Sequence, residues 1–312
     1  MTDPVTASVA LGTPGPPVEV DPTGDDGQPA AVPRRPRRRR LRLWIPLGVI
    51  AGYVVAGLIG PILARYDPIA TSVTDRLQPP GSRLADGSLA LLGTDQVGRD
   101  LLPQIMQGAR VSILVGAATL LLAGVVGAAI GILCGYLGGV VDAVLMRLAD
   151  IQLAFPSILL AVFVAAVLGS SVTNVVLTLS ITTWPIFARV ARAQTLATKS
   201  RDFANAARTL GAGSWHIVRH CVLPAVASPL MVIATVQLGF VIVAEASLSF
   251  LSLGIPPGTP SWGTTIANGR DYLASAWWIA TIPGLVLALF VVCVGVLGDE
   301  LRDRSDPNLS TR

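Results

Sequence analysis

Residues 202–224 read DFANAARTLGAGSWHIVRHCVLP: a short helical pattern, a glycine break, a second helical pattern and a proline. Phe203, Ala206, Ala207 and Leu210 recur at i, i+3, i+4 and i+7 and form one apolar stripe, with Asp202, Asn205, Arg208 and Thr209 opposite. Gly211 suits the position just past a helix C-terminus. Ser214 can cap the next helix, whose apolar face is Trp215, Ile217, Val218 and Cys221. Leu223 and Pro224 open a long apolar run, where a first-turn proline sacrifices no hydrogen bond. The small pair Ala206–Ala207 lets another surface approach closely. An elbow of this kind can dock into a partner, or lie on lipid headgroups as an interfacial helix.

The chain around the elbow is built for lipid. Of its 312 residues, 52% are hydrophobic and only 13% are charged, where a soluble domain carries about 25% charged residues. Six apolar stretches are long enough to cross a hydrocarbon core of about 30 Å: 43–64, 111–134, 143–168, 172–193, 224–250 and 277–298. Helices satisfy their own backbone hydrogen bonds and are the spanning form expected here. The predicted fold is an all-α membrane protein with six transmembrane helices. Residues 1–40 form a disordered tail ending in an Arg-rich run, 41–65 the first span, 66–110 an extracytoplasmic segment, 111–300 the core with a cytoplasmic loop at 199–223, and 301–312 a C-terminal tail.

The run RRPRRRRLRLW at 34–44, just before the first span, is a topology signal. Arginines resist crossing, and this reading is preferred to a nucleic-acid patch or a cleaved signal. Six crossings that start inside leave both termini in the cytoplasm. Of the 23 basic residues, only Arg65, Arg76, Arg83, Arg99, Arg110 and Arg270 then fall outside, as the positive-inside rule requires. The elbow lies on the cytoplasmic side.

Other candidates have plainer readings. Cys134, Cys221 and Cys293 lie scattered in apolar surroundings without paired spacing and read as small buried hydrophobes. His216 and His220 share a helix face but lack the further ligands of a closed metal site, so no metal is expected. Arg147 and Asp150, at i and i+3, are expected to pair. Glu245, an acid deep in the fifth span, marks either a passage or outer gate, or an interhelical hydrogen bond that holds the loop after it. The loop beyond, with Pro256, Pro257, Pro260 and Trp262, and the stretch around Asp95–Asp100 are expected to form the outer surface. The string from Gly93 to Asp100 has the two glycines of a phosphate loop, but Arg99 and Asp100 replace the required Lys and Ser/Thr.

The elbow resembles the EAA loop of ATP-binding-cassette (ABC) importer permeases: Glu-Ala-Ala, three residues, Gly, nine residues, then Ile-x-Leu-Pro. Here Asn205-Ala206-Ala207, Gly211 and Cys221-Val222-Leu223-Pro224 keep the spacing, with Asn205 in place of Glu and Cys221 in place of Ile. LGTDQVGRD (92–100), GARVS (108–112), AFPSILLA (154–161), AEASLSFLSLGIPPGTPSWG (244–263) and LGDELRDRSDP (297–307) look like the dipeptide/oligopeptide/nickel branch, and within it the second of two permease subunits. The resemblance spans roughly residues 41–309.

That resemblance implies a type I importer permease, multi-pass in a bacterial inner membrane, forming half of a passage for dipeptides or oligopeptides. Its partners would be a second homologous permease subunit, two ATPase subunits and an extracytoplasmic substrate-binding protein. ATP and Mg would sit on the ATPases, with no cofactor and no catalytic residue on this chain. Asp202, Phe203, Asn205, Ala206, Ala207, Leu210, Gly211, Leu223 and Pro224 would form the ATPase-coupling loop. The rival readings are the same fold importing nickel or another chelated solute, an ATP-independent secondary transporter, and a membrane enzyme. The nearly charge-free spans count against an ion-driven carrier, and no nucleophile–base pair supports an enzyme.

Overall fold

The computed structural model describes residues 38–63 and 71–305. Of the expected tail 1–40, residues 1–37 lie outside the described residues, as do 64–70 and 306–312, while 38–40 are already helical. Among the described residues, ten α-helices follow one another: α1 Arg38–Leu63, α2 Leu101–Leu137, α3 Gly139–Ala154, α4 Ser157–Leu168, α5 Val172–Lys199, α6 Asp202–Thr209, α7 Ser214–Ile217, α8 Leu223–Phe250, α9 Trp262–Gly269 and α10 Trp278–Ser305. A small antiparallel hairpin, β1 Ser82–Arg83 with β2 Leu89–Ala90, precedes α2. Five helices are each long and apolar enough to cross a membrane, and α3 with α4 makes a sixth, broken span.

Two expected boundaries are corrected. The second span begins at Leu101 rather than 111, so the last part of the expected 66–110 segment is helical. Asp100 starts it by accepting a hydrogen bond from the Leu102 N–H at 3.0 Å, and Gln104, polar but buried, continues it by donating to Asp95 at 2.9 Å. The third span, 143–168, is two helices bent by 97°. Pro156 causes the break: its ring excludes the α conformation from the residue before it, and Phe155 is extended with φ −83° and ψ 140°.

Close approach of α2 and α5 organises the core. Gly127, Gly131 and Gly135 repeat every fourth residue along one face of α2. A Cβ there would lie 2.6 Å from Trp184 O, 2.3 Å from Ala188 O and 2.9 Å from Arg192 O respectively. Such a seam of small residues lets two backbones touch, which is how helices gain packing energy in lipid. On another face of α2, Ala109 joins Ile242 of α8, Trp262 of α9, and Phe290 and Val294 of α10 in one buried cluster. The elbow of α6 and α7 lies at one end of this bundle. Residues 71–100, the loop after α8, and α9 lie at the far end.

Candidate coupling loop and far-end cavity

The elbow is rigid by local geometry. Gly211 has φ 88°, a left-handed conformation that glycine adopts without penalty. Its N–H donates to Arg208 O at 3.0 Å, and the Ala212 N–H donates to Ala207 O at 3.0 Å. This pair of bonds is a Schellman closure of α6. Gly213, rather than the expected Ser214, occupies the cap of α7, and no side chain bonds there. The elbow is also fastened to the bundle. Ile217 and Val222 are buried with Ile132 of α2 and Ala191 of α5, and the Lys199 ammonium donates to Tyr136 O while lying 5.2 Å from the Tyr136 ring centroid.

The opposite face of the elbow is bare. Phe203 is 50% exposed, Leu210 89% and Trp215 75%. Ala206 is exposed, Ala207 half-buried and Ala204 buried, so Ala204 is what seats α6 on the chain. Of the apolar face expected on the second helix, Trp215 is exposed, whereas Ile217 is buried and Val218 and Cys221 are half-buried. Asp202 opens α6 as the acid of its first turn, which suits the helix dipole. Asn205, standing where the loop pattern has Glu, accepts from Arg208 at 3.0 Å. The rings of His216 and His220 stack with centroids 4.2 Å apart, and the described residues contain no cluster of three or more His, Cys, Asp or Glu.

A π-helical turn, Val218–Val222, joins α7 to α8, with the Leu223 N–H bonded to Val218 O. Proline removes an N–H and its ring crowds the carbonyl four residues back. The widened turn just ahead of Pro224 gives that ring room, so α7 and α8 run on as one apolar helix, Ser214–Phe250.

At the same end, α3 is tied to α5. Asp150 pairs with Arg189 at 2.6 Å instead of the expected Arg147, and Asp142 takes both Nε and Nη2 of Arg192. Trp184 Nε1 donates to Gln152 Oε1 at 3.0 Å. Sequence spacing offered only the local Arg147–Asp150 pair. The cross-helix arginines, a turn apart on α5, were visible as residues but not as partners.

At the far end, the 92–100 stretch is a tight turn rather than a phosphate loop. Asp95 is 2% exposed, and its Oδ1 accepts from the Val97 and Arg99 N–H groups at 2.9 and 2.8 Å. Trp278 Nε1 donates to Thr94 O at 3.1 Å. Between this turn and the loop after α8 lies a polar cavity of about 490 Å³ whose lining includes Gln96, Arg99, Gln104, Thr259 and Asn268. A second cavity of about 520 Å³, between α4, α5 and α8, is mostly apolar, with Ile158, Leu179, Thr183, Gln237 and Phe240 on its walls. Glu245 lines neither. It is fully buried and accepts from Ser112 at 3.0 Å, Ser249 at 2.8 Å and Ser261 at 2.9 Å.

Long apolar helices packed along a glycine seam are what a membrane transport subunit of the permease class requires. The chain belongs to the family described as binding-protein-dependent transport system inner membrane component, which matches residues 127–311. It is accordingly a multi-pass inner-membrane protein. It is 41% identical over 257 residues to the di/tripeptide transport system permease protein DppC of Pseudomonas aeruginosa, covering 82% of this chain and 84% of that one. It is 37% identical to the probable D,D-dipeptide transport system permease protein DdpC of Escherichia coli, covering 84% and 88%. With the glutathione transport system permease protein GsiD of Pectobacterium atrosepticum it shares 38% identity, covering 88% and 90%. Among solved structures, an inward-facing form of the MetNI methionine ABC transporter superposes with a TM-score of 0.53 at 19% identity, covering 66% of this chain and 98% of that chain. That likeness concerns the fold alone.

Proposed function

We propose that this chain is a permease subunit of an ABC importer for dipeptides and oligopeptides. It forms half of the passage beside a second, homologous permease. Its elbow docks on one of two ATPase subunits, which carry ATP and Mg and perform the hydrolysis, while a binding protein delivers cargo from outside. Both termini lie in the cytoplasm. The observation that carries the reading is the bare stripe of Phe203, Leu210 and Trp215 on an elbow closed by Gly211 and anchored through Ile217. Apolar side chains this exposed, outside the bilayer and on a rigid support, suit a protein partner. A rigid support also transmits the partner's movement into α5 and α8. The peptide relatives support the choice of cargo.

The test is copurification followed by reconstitution. Tagged chain extracted from membranes should bring down a second permease and an ATPase pair, and proteoliposomes of the complex should take up labelled dipeptide only with ATP and the binding protein. Nucleotide-independent uptake by the chain alone would overturn the assignment.

A further inference from the structure

The loop between α8 and α9, residues 251–261, is held at both ends by one side chain. From Glu245 Oε1 one branch runs through the Ser249 hydroxyl to the Ile255 N–H, at 2.8 and 3.3 Å. The other runs through the Ser261 hydroxyl, at 2.9 Å, to the Thr264 N–H, at 3.1 Å. Thr264 closes a capping box by accepting from the Ser261 N–H at 2.8 Å. The second carboxylate oxygen takes Ser112 of α2, whose hydroxyl also accepts from the Trp262 N–H at 3.4 Å. Two glycines let the loop lie flush on α8: a Cβ on Gly254 would stand 2.3 Å from Ser249 Oγ, and one on Gly263 2.5 Å from Ala246 Cα. Trp262 plugs the junction, fully buried, with its indole N–H on Ile105 O at 3.2 Å.

What the pinned loop builds is one wall of the far-end cavity, through residues such as Ser252, Pro257, Thr259 and Pro260. The facing wall holds Gln96, Arg99 and Asn268. About 490 Å³ falls within the range of small-ligand pockets, about 300–1,000 Å³. Its lining supplies the amides of Gln96 and Asn268 for a peptide main chain. Gln96 Oε1 is buried without a hydrogen-bond partner, an acceptor suited to an incoming N–H. A carboxyl group set in a span is costly to bury and marks function rather than packing.

We propose that Glu245 is the positioning residue of this cavity, and that the cavity receives the polar main chain of a short peptide arriving from the binding protein. The proposal rests on the importer reading above. Glu245 touches no cargo. It fixes the wall against which cargo is presented.

The experiment uses the complete transporter in proteoliposomes, with wild type first shown to take up dipeptide; a silent wild type would refute the importer reading and this proposal with it, whereas the variants, compared with an active wild type, test this proposal alone. Glu245→Ala should raise the half-saturating concentration of loaded binding protein about tenfold and change the maximal rate less than twofold. Glu245→Gln, which keeps an acceptor for the serines, should restore most of the affinity. A spin label at Thr259→Cys, with the three native cysteines replaced, should be immobile when Glu245 is intact and mobile in the Glu245→Ala background. Should Glu245→Ala prevent accumulation of the chain, Ser249→Ala and Ser261→Ala, each cutting one branch, carry the same two readouts. A fall in maximal rate with unchanged half-saturation, or an immobile label in every variant, would overturn the proposal.

Discussion

Asp142 on α3 and Arg192 on α5 face each other side by side, with Nη2 2.6 Å from Oδ2 and Nε on Oδ1. The planar guanidinium matches the carboxylate edge, which makes such pairs stronger and more directional than point-charge contacts. With Asp150 on Arg189, the pair fastens the half-span α3 to the helix that leads into the elbow. Because Arg192 is 34% exposed and Asp142 18%, solvent screens part of the attraction. A double-mutant cycle with Asp142→Asn and Arg192→Gln, read by thermal unfolding in detergent, should give a coupling of about 1 kcal/mol. Additive effects would show that the pair contributes nothing.

The glycine seam gives a sharper contrast. A Cβ at Gly131 would meet the Ala188 carbonyl oxygen at 2.3 Å, whereas one at Gly124 would touch only Phe187 at 3.8 Å. Gly131→Ala should therefore destabilise the bundle by at least the ~1–3 kcal/mol typical of overpacking, and Gly124→Ala should be close to neutral. Equal melting temperatures for the two variants would contradict the described approach of α2 to α5.

At Gly211 the constraint is conformational, not steric. Nothing lies within 4 Å of a Cβ there, and φ is 88°. Gly211→Ala should cost about 1–2 kcal/mol for the left-handed backbone and leave uptake measurable. Gly211→Pro, which demands φ near −65° and removes the N–H bonded to Arg208 O, should abolish uptake with normal amounts of chain in the membrane. Full uptake by the proline variant would refute the role given to the elbow.

Leu210→Glu and Trp215→Glu test the bare stripe. Both side chains are largely exposed, so each change should alter stability by no more than about 0.5 kcal/mol. Recovery of the ATPase with the tagged chain should fall at least tenfold, on the order of 1.4 kcal/mol of binding. Unchanged recovery would mean that the stripe does not face the ATPase.

Where the sequence spoke through local chemistry, it was legible. The apolar runs gave the spans, and Gly211 gave the end of α6. The Phe155–Pro156 step that breaks the third span was present as a signal, but it lies inside an apolar stretch, 143–168, that is long enough for a single crossing. Gln104, Gln107 and Arg110 made the start of α2 look like loop, because a buried hydrogen bond such as Gln104 to Asp95 is made by tertiary structure. Glu245 stood out as an acid in lipid, yet its partner Ser112 lies 133 positions away in the chain. Partners at that distance follow from how helices pack, as do the arginines that displaced Arg147 from Asp150.

The widened turn at Val218–Val222 has a geometric consequence for the elbow. An α-helix advances about 100° per residue, so the one surplus residue held in that turn sets the rotational phase between α7 and α8. Closing that turn to α-helical pitch with all five residues kept would swing Trp215 about a quarter of the way round the axis while every side chain beyond Pro224 kept its neighbours. The compass bearing of the lever is thus stored in five residues, separately from its stiffness and from its grip on the bundle.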